Sequence, residues 1–237
     1  IILYMNSFTF SYYFSVIVQI ISLVIQTYGY TLKVTPKLYS LKYALNLEFF
    51  VSIFELLVYF WIGTNLKNLG TVMNKRYLDW FLTTNCMMIS FSFMFIFFNE
   101  RQKDKSTNKE EVCTYACKSL IHKNLHKFAP ILFFNNAMLI VGLLGEKKII
   151  PKLFSTSIGF AFFFMSFYYL YIYFAKYSAI GPKILYLMAI IWALYGFAHN
   201  LNETNKNISY NLLDLVSKNA FGVILVFMIL YYQQTNI

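Results

Sequence analysis

Seven stretches of this chain are each long and apolar enough to cross a lipid bilayer, and that leaves few folds open to it. A spanning helix needs about 20 consecutive, mostly apolar residues. Such stretches are predicted at 7–31, 38–63, 73–99, 128–145, 150–175, 182–201 and 208–234. The fourth is short and is interrupted by Asn135-Asn136. Only helices and closed barrels satisfy every backbone polar group in hydrocarbon. The stretches read as helices, and the chain is predicted to be an all-α membrane protein, one domain over 1–237. The 59% hydrophobic and 13% charged residues exclude an ordinary soluble domain. The formal charge of +10 does not point to nucleic acid, because the cations are spread over loops.

Those cations predict an orientation. If the first stretch enters from outside, the inner loops hold Lys33, Lys37, Lys42, Arg101, Lys103, Lys105, Lys109, Lys118, Lys123, Lys127, Lys176 and Lys183. The outer loops then hold Lys67, Lys75, Lys147, Lys148, Lys152 and Lys206, twelve against six. The excess of cations on one side predicts an outer N-terminus and an inner C-terminus. Two glycosylation sequons, Asn202-Glu-Thr204 and Asn207-Ile-Ser209, fall in the loop this orientation puts outside. The first apolar run is long enough to act as its own signal anchor. Cys86, Cys113 and Cys117 suggest no disulfide framework.

The one long polar segment covers 100–127. Its second half places Val112, Tyr115, Ala116, Leu120 and Ile121 at helical spacing, which predicts an amphipathic helix on the inner membrane surface. Cys113 and Cys117, and His122 and His126, are each four apart. That spacing would put metal ligands on one face, although a solvated surface helix explains it more simply.

Charges inside the spans carry the functional signal. The last stretch holds one cation, Lys218, in the string Asp214-Leu-Val-Ser-Lys218-Asn-Ala-Phe-Gly222. Asp214 and Lys218 share a helical face. An ionisable group inside a membrane is costly and marks a functional site by default. A buried amine can pair with carboxylates, or lose its charge and condense with an aldehyde. The third stretch reads Arg76-Tyr-Leu-Asp79-Trp80-Phe-Leu-Thr83-Thr84, with Arg76 and Asp79 on one face. Two cations and two anions make a neutral set. The third and seventh helices are therefore predicted to be neighbours, with these charges meeting at a central cavity. The Thr83 hydroxyl, one turn on, is placed to donate to the Asp79 carboxylate. Trp80, and Trp192 with Tyr195 in the sixth stretch, are placed to flank an elongated apolar ligand.

These strings resemble the type 1 (microbial) rhodopsins, over all seven spans in order. The resemblance implies all-trans retinal bound covalently to Lys218 as a protonated Schiff base. It makes Asp79 the primary counterion and proton acceptor, Asp214 the second counterion, Arg76 the arginine just outside them and Thr83 the hydroxyl one turn in. Trp80, Thr84, Asn135, Met138, Gly142, Met165, Trp192 and Tyr195 fall at retinal-pocket positions. Asn135 stands where an aspartate is common, and Asn85 and Gly196 stand where proline is common. Ser90 replaces the carboxylate with which many outward proton pumps reprotonate from the inside. The composition is similar to that of rhodopsins of large DNA viruses and marine protists.

The implied function is light-driven ion transport by a multi-pass protein of a plasma or internal membrane. It is a transporter and not an enzyme, and homo-oligomers are common in the family. An outward proton pump is the first reading, with the proton passing from Lys218 to Asp79 and leaving through Glu203. Ser90 cannot act as an acid near neutral pH. Glu48 lies at a similar depth in the second stretch and is expected to replace it as donor. Glu48 and Glu55 are seven apart, on one face. That pattern also resembles channelrhodopsins, so a light-gated cation channel is the second reading, and a sensory photoreceptor the third.

Overall fold

The computed structural model describes residues 7–107 and 117–235. Within them seven helices are long and apolar enough to span a membrane. Helix α1 covers Ser7–Thr31. A 3₁₀ turn at Pro36–Leu38, begun by a proline whose fixed φ suits a first helical turn, leads into α2 at Tyr39–Gly63. Then follow α3 at Leu69–Thr107, α4 at Cys117–Glu146, α5 at Lys152–Tyr173 and α6 at Gly181–Ala198. The seventh helix, α7, spans Glu203–Gln234. No strand occurs among the described residues.

Each helix packs on the next, and α7 closes the ring against α1. Antiparallel succession puts the start of α1 and the end of α2 at one face, called the N-side. The opposite face is the C-side. Helix α3 is the most buried and α6 the most lipid-facing. Toward the C-side the interior is apolar, with Leu41, Leu45, Phe93, Phe95, Leu225 and Ile229 fully enclosed.

The fourth helix differs from the expectation. It runs 30 residues without a break. Asn135 and Asn136 do not interrupt it, because their amides bond across to α3. Asn135 Nδ2 donates to Thr84 Oγ1 at 2.8 Å and to Asn85 Oδ1 at 3.0 Å. Asn85 Nδ2 in turn donates to Asn136 Oδ1 at 2.9 Å. Paired amides are tolerated where lone ones would be expelled. The predicted surface helix is likewise corrected where it is described. From Cys117 onward it forms the first turns of α4 rather than a separate element. Its earlier part, with Cys113, lies outside the described residues.

Two departures from regular α-helix matter for function. Residues Leu215–Asn219 of α7 form a π turn, with the Ala220 amide reaching back to the Leu215 carbonyl. Insertions of this kind cluster at functional sites. Helix α1 is inverted relative to a soluble helix. Ser11, Ser15, Gln19, Ser22 and Gln26 are buried, while Phe10, Phe14, Ile17, Ile21 and Val24 face outward. In lipid the apolar face belongs outside and polar side chains turn to the bundle interior.

Candidate functional site

The π turn carries Lys218, whose side chain is 2% exposed and points across the bundle at α3. Its Nζ donates to Asp79 Oδ2 at 2.5 Å. Asp214 Oδ1 lies 3.3 Å from the same nitrogen and Glu55 Oε1 3.5 Å. The third and seventh helices are thus neighbours, and their charges meet. The predicted neutral set of four is incomplete, however. Glu55 from α2 joins it, giving three carboxylates against Arg76 and Lys218. Glu55 is held in place by Asn219, which donates to its Oε2 at 2.9 Å.

The two aspartates differ in their surroundings. Asp214 accepts from Tyr59 at 2.8 Å, Tyr195 at 2.8 Å and Arg76 at 3.2 Å. These donors hold its charge in place. Asp79 has only Lys218: its Oδ1 lacks a partner among the described residues. The Thr83 hydroxyl does not donate to this carboxylate, as the sequence suggested. It donates to the Asp79 backbone carbonyl at 2.8 Å, the i−4 bond available to threonine inside a helix. Arg76 is fully buried and faces α7 rather than Asp79. It donates to Asn207 at 3.3 Å, to Tyr59 at 3.1 Å and to Asn211. Asn207 is therefore an internal residue, and the second sequon is not an accessible acceptor.

Beside Lys218 lies an apolar cavity. Trp80 and Trp192 line it, with Thr84, Met138, Gly142 and Tyr195. Trp80 is held edge-on by Tyr210 and Tyr195, at ring separations of 4.8 and 5.7 Å. Trp192 is held by Phe91 at 5.7 Å and Phe167 at 5.8 Å. A Cβ at position 142 would sit 2.8 Å from the Tyr77 hydroxyl, so glycine lets that wall close. Asn135 is buried behind Thr84 and does not line the cavity. Met165 faces away and is 37% exposed, so its predicted pocket position is corrected. An elongated apolar molecule ending in an aldehyde matches both the lining and the buried amine.

Glu48 is fully buried on α2 beside Ser90 of α3. Neither of its oxygens, nor Ser90 Oγ, has a hydrogen-bond partner among the described residues. Glu203 lies elsewhere. It is 57% exposed at the N-side, and its carboxylate pairs with Lys206 at 2.9 Å rather than with Arg76.

Several site residues were missed in the sequence. The α1 polar stripe joins α2 and α7 through a hydrogen-bonded seam. Ser11 accepts from Asn211 at 2.8 Å, and Ser22 donates to the Asn219 carbonyl at 3.1 Å. Gln26 Nε2 donates to Ser22 at 2.9 Å and to Ser52 at 2.8 Å. The signal that would have found them is the three- and four-residue spacing of polar residues in α1.

Known proteins share this seven-helix fold. The family model described as bacteriorhodopsin-like protein matches residues 6–231. No curated protein sequence matches the chain. Among solved structures, the viral rhodopsin OLPVRII is 25% identical with a TM-score of 0.72, covering 93% of this chain and 96% of that one. A blue light-absorbing proteorhodopsin from Med12 is 19% identical at a TM-score of 0.72, covering 97% and 99%. The rhodopsin of Exiguobacterium sibiricum is 16% identical at 0.69, covering 96% and 97%. With the family model spanning nearly its whole length, the chain belongs to the bacteriorhodopsin-like, type 1 microbial rhodopsin family, as an integral membrane protein of seven spans.

Proposed function

We propose that the protein is a light-driven outward proton pump, with all-trans retinal carried on Lys218 and the N-side facing outward. When bound, the retinal supplies light absorption and a light-triggered change in the direction of the Lys218 N–H. The free amine Nζ stands for the nitrogen that would carry it.

The contact that supports this reading is the 2.5 Å approach of Nζ to Asp79. A proton on Nζ faces three carboxylates. Asp214 already accepts three hydrogen bonds and has the Arg76 charge beside it, so protonating it would waste those donors. Asp79 is nearest and has an oxygen without a partner, so it is the acceptor. Its neutralisation leaves Arg76 paired with Asp214 alone and raises the positive potential toward the N-side. The proton that returns to Nζ comes from the C-side. Glu48 has the position for this, buried beside Ser90, and the apolar layer around Leu41 and Leu45 keeps that path closed in the dark.

A cation channel is the second reading, and the α1–α2–α7 seam favours it. A proton relay through Asp79 makes no use of Ser22, Gln26, Ser52 and Asn219. A row of buried polar side chains suits a water-filled path for cations. Voltage-clamp recording of illuminated cells decides between them. A pump current stays outward at every holding potential. A current that reverses at the cation equilibrium potential sinks the pump reading.

A further inference from the structure

Three lysines at one corner of the C-side lack the partners that lysines elsewhere have. On the N-side, Lys206 pairs with Glu146 at 2.7 Å and Glu203 at 2.9 Å, and Lys152 donates to the Leu201 carbonyl at 3.4 Å. On the C-side, the start of α4, the end of α5 and the start of α6 lie side by side. From Cys117 to Asn202 the one carboxylate is Glu146, at the N-side end of α4. Among the described residues, Lys127 of α4, Lys176 just after α5 and Lys183 of α6 have no carboxylate partner.

Packing brings these distant segments together. Phe174, where α5 ends, is buried and stacks on Phe128 of α4 at 5.5 Å. Lys127 is half-buried, and its Nζ lies over the same Phe174 ring, 5.6 Å from the centre. The ring attracts the cation but does not accept its three N–H groups as a carboxylate would. Lys176 is exposed in the 3₁₀ turn Ala175–Tyr177 that follows. The chain then folds straight back. The Ser178 hydroxyl accepts from the Gly181 amide at 3.2 Å, and a Cβ at Gly181 would strike the Ala175 carbonyl. Helix α6 therefore starts against that turn, with Lys183 exposed in its own first turn. The start of a helix favours a negative charge, yet α6 has no acidic residue there.

The surface below this corner suits an acyl chain. Phe134 lies seven residues after Lys127, on the same face of α4. Its ring stacks on Tyr169 at 5.6 Å, and Tyr169 stacks on Tyr173 at 5.7 Å. The three rings form a partly exposed stripe along the α4–α5 seam. We propose that the corner binds one anionic phospholipid of the C-side leaflet, its phosphate between Lys127 and Lys176 and an acyl chain along that stripe. Phosphate oxygens accept from both ammonium groups in charge-assisted hydrogen bonds. Basic pockets between spanning helices hold anionic headgroups in this way. The lipid ties α4 to the turn between α5 and α6, and the site is the same whether the protein pumps or conducts.

Native mass spectrometry of the full chain with retinal, in neutral detergent, tests this. Phosphatidylglycerol should bind at one lipid per chain at concentrations where phosphatidylcholine does not. At about fivefold per lysine, Lys127→Gln with Lys176→Gln should weaken that binding about 30-fold. Lys127→Arg with Lys176→Arg should keep it. Lys33→Gln with Lys37→Gln removes the same charge from the α1–α2 turn, also on the C-side, and should leave it unchanged. Equal losses in the two glutamine pairs would mean diffuse surface attraction and overturn the inference. Equal binding of the two lipids would overturn it as well. Glycerol 3-phosphate, a headgroup without chains, should not displace the lipid at equal concentration; displacement would assign the corner to a soluble phosphate instead. All variants are compared at the unaltered pigment's absorption, so that a misfolded chain is not read as one that has lost its lipid.

Discussion

Replacing Gly222 by alanine tests how tightly the polar seam is packed. Gly222 lies one turn after Lys218 and faces Gln26 of α1. A Cβ there would lie 2.5 Å from Gln26 Cδ and Oε1, where ordinary contact begins at 3.4 Å. The amide must move by about an ångström, and it is anchored by its bonds to Ser22 and Ser52. Two hydrogen bonds at about 1 kcal/mol each, plus overpacking of about 1–3 kcal/mol, give a loss of about 3–5 kcal/mol. At roughly 2–4 °C per kcal/mol for a chain of this size, thermal bleaching of the pigment should fall by about 6–20 °C. Gln26→Ala alone loses the hydrogen bonds but leaves space. The double variant, with a methyl filling part of that space, should bleach no earlier than Gln26→Ala alone. Losses that simply add would show that the two residues do not compete for one site, and the packing argument would fail.

Four other outcomes are expected from the geometry. Lys218→Ala should give no pigment when all-trans retinal is added, read by absorption. Asp79→Asn should give a pigment absorbing further to the red, with light-driven current down about 100-fold or more, as expected when a proton acceptor is removed. Glu48→Gln should slow the decay of the deprotonated photostate about 100-fold; an unchanged decay would show that the returning proton comes by another route. Arg76→Gln removes one partner of a fully buried pair and should cost about 3–5 kcal/mol in thermal bleaching, whereas Arg76→Lys, which keeps the charge, should cost less.

The spans and the meeting of Lys218 with Asp79 were legible because both rest on the expense of polarity in hydrocarbon. Apolar runs of membrane length have few alternatives, and buried charges must find one another. Length could not show the true extent of α3 and α4. Both continue through polar residues such as Glu100 and Asn124, which do not end a helix once its core is formed. Asn135 and Asn136 looked like an interruption because a single strand of sequence does not reveal Asn85 on the facing helix. Thr83 was assigned to a carboxylate when its own backbone was the nearer acceptor. Glu55 shares a face with Glu48, but which of them reaches Lys218 depends on how α2 is rotated and set in depth against α7. Spacing within one helix does not contain that.

The first helix is the clearest case of a role that only its neighbours reveal. Read alone, its serines and glutamines look like dilution of an apolar span. In the bundle they act on α7 where its backbone departs from the α-helix. Ser15 donates to the Asn211 carbonyl at 3.2 Å and Ser22 to that of Asn219, so the two hydroxyls bracket the π turn. A π turn shifts the hydrogen-bond ladder by one residue and disturbs the pairing of nearby carbonyls. In lipid an unpaired carbonyl costs several kcal/mol, so hydroxyls from a neighbour make the distortion tolerable. The distortion sets Lys218, Asn219 and Asp214 at an angle that lets one amine face carboxylates from α2, α3 and α7. The polar stripe of α1 thus supports the charge cluster without belonging to it, and Ser22→Ala should disturb Lys218 even though the two side chains share no hydrogen bond.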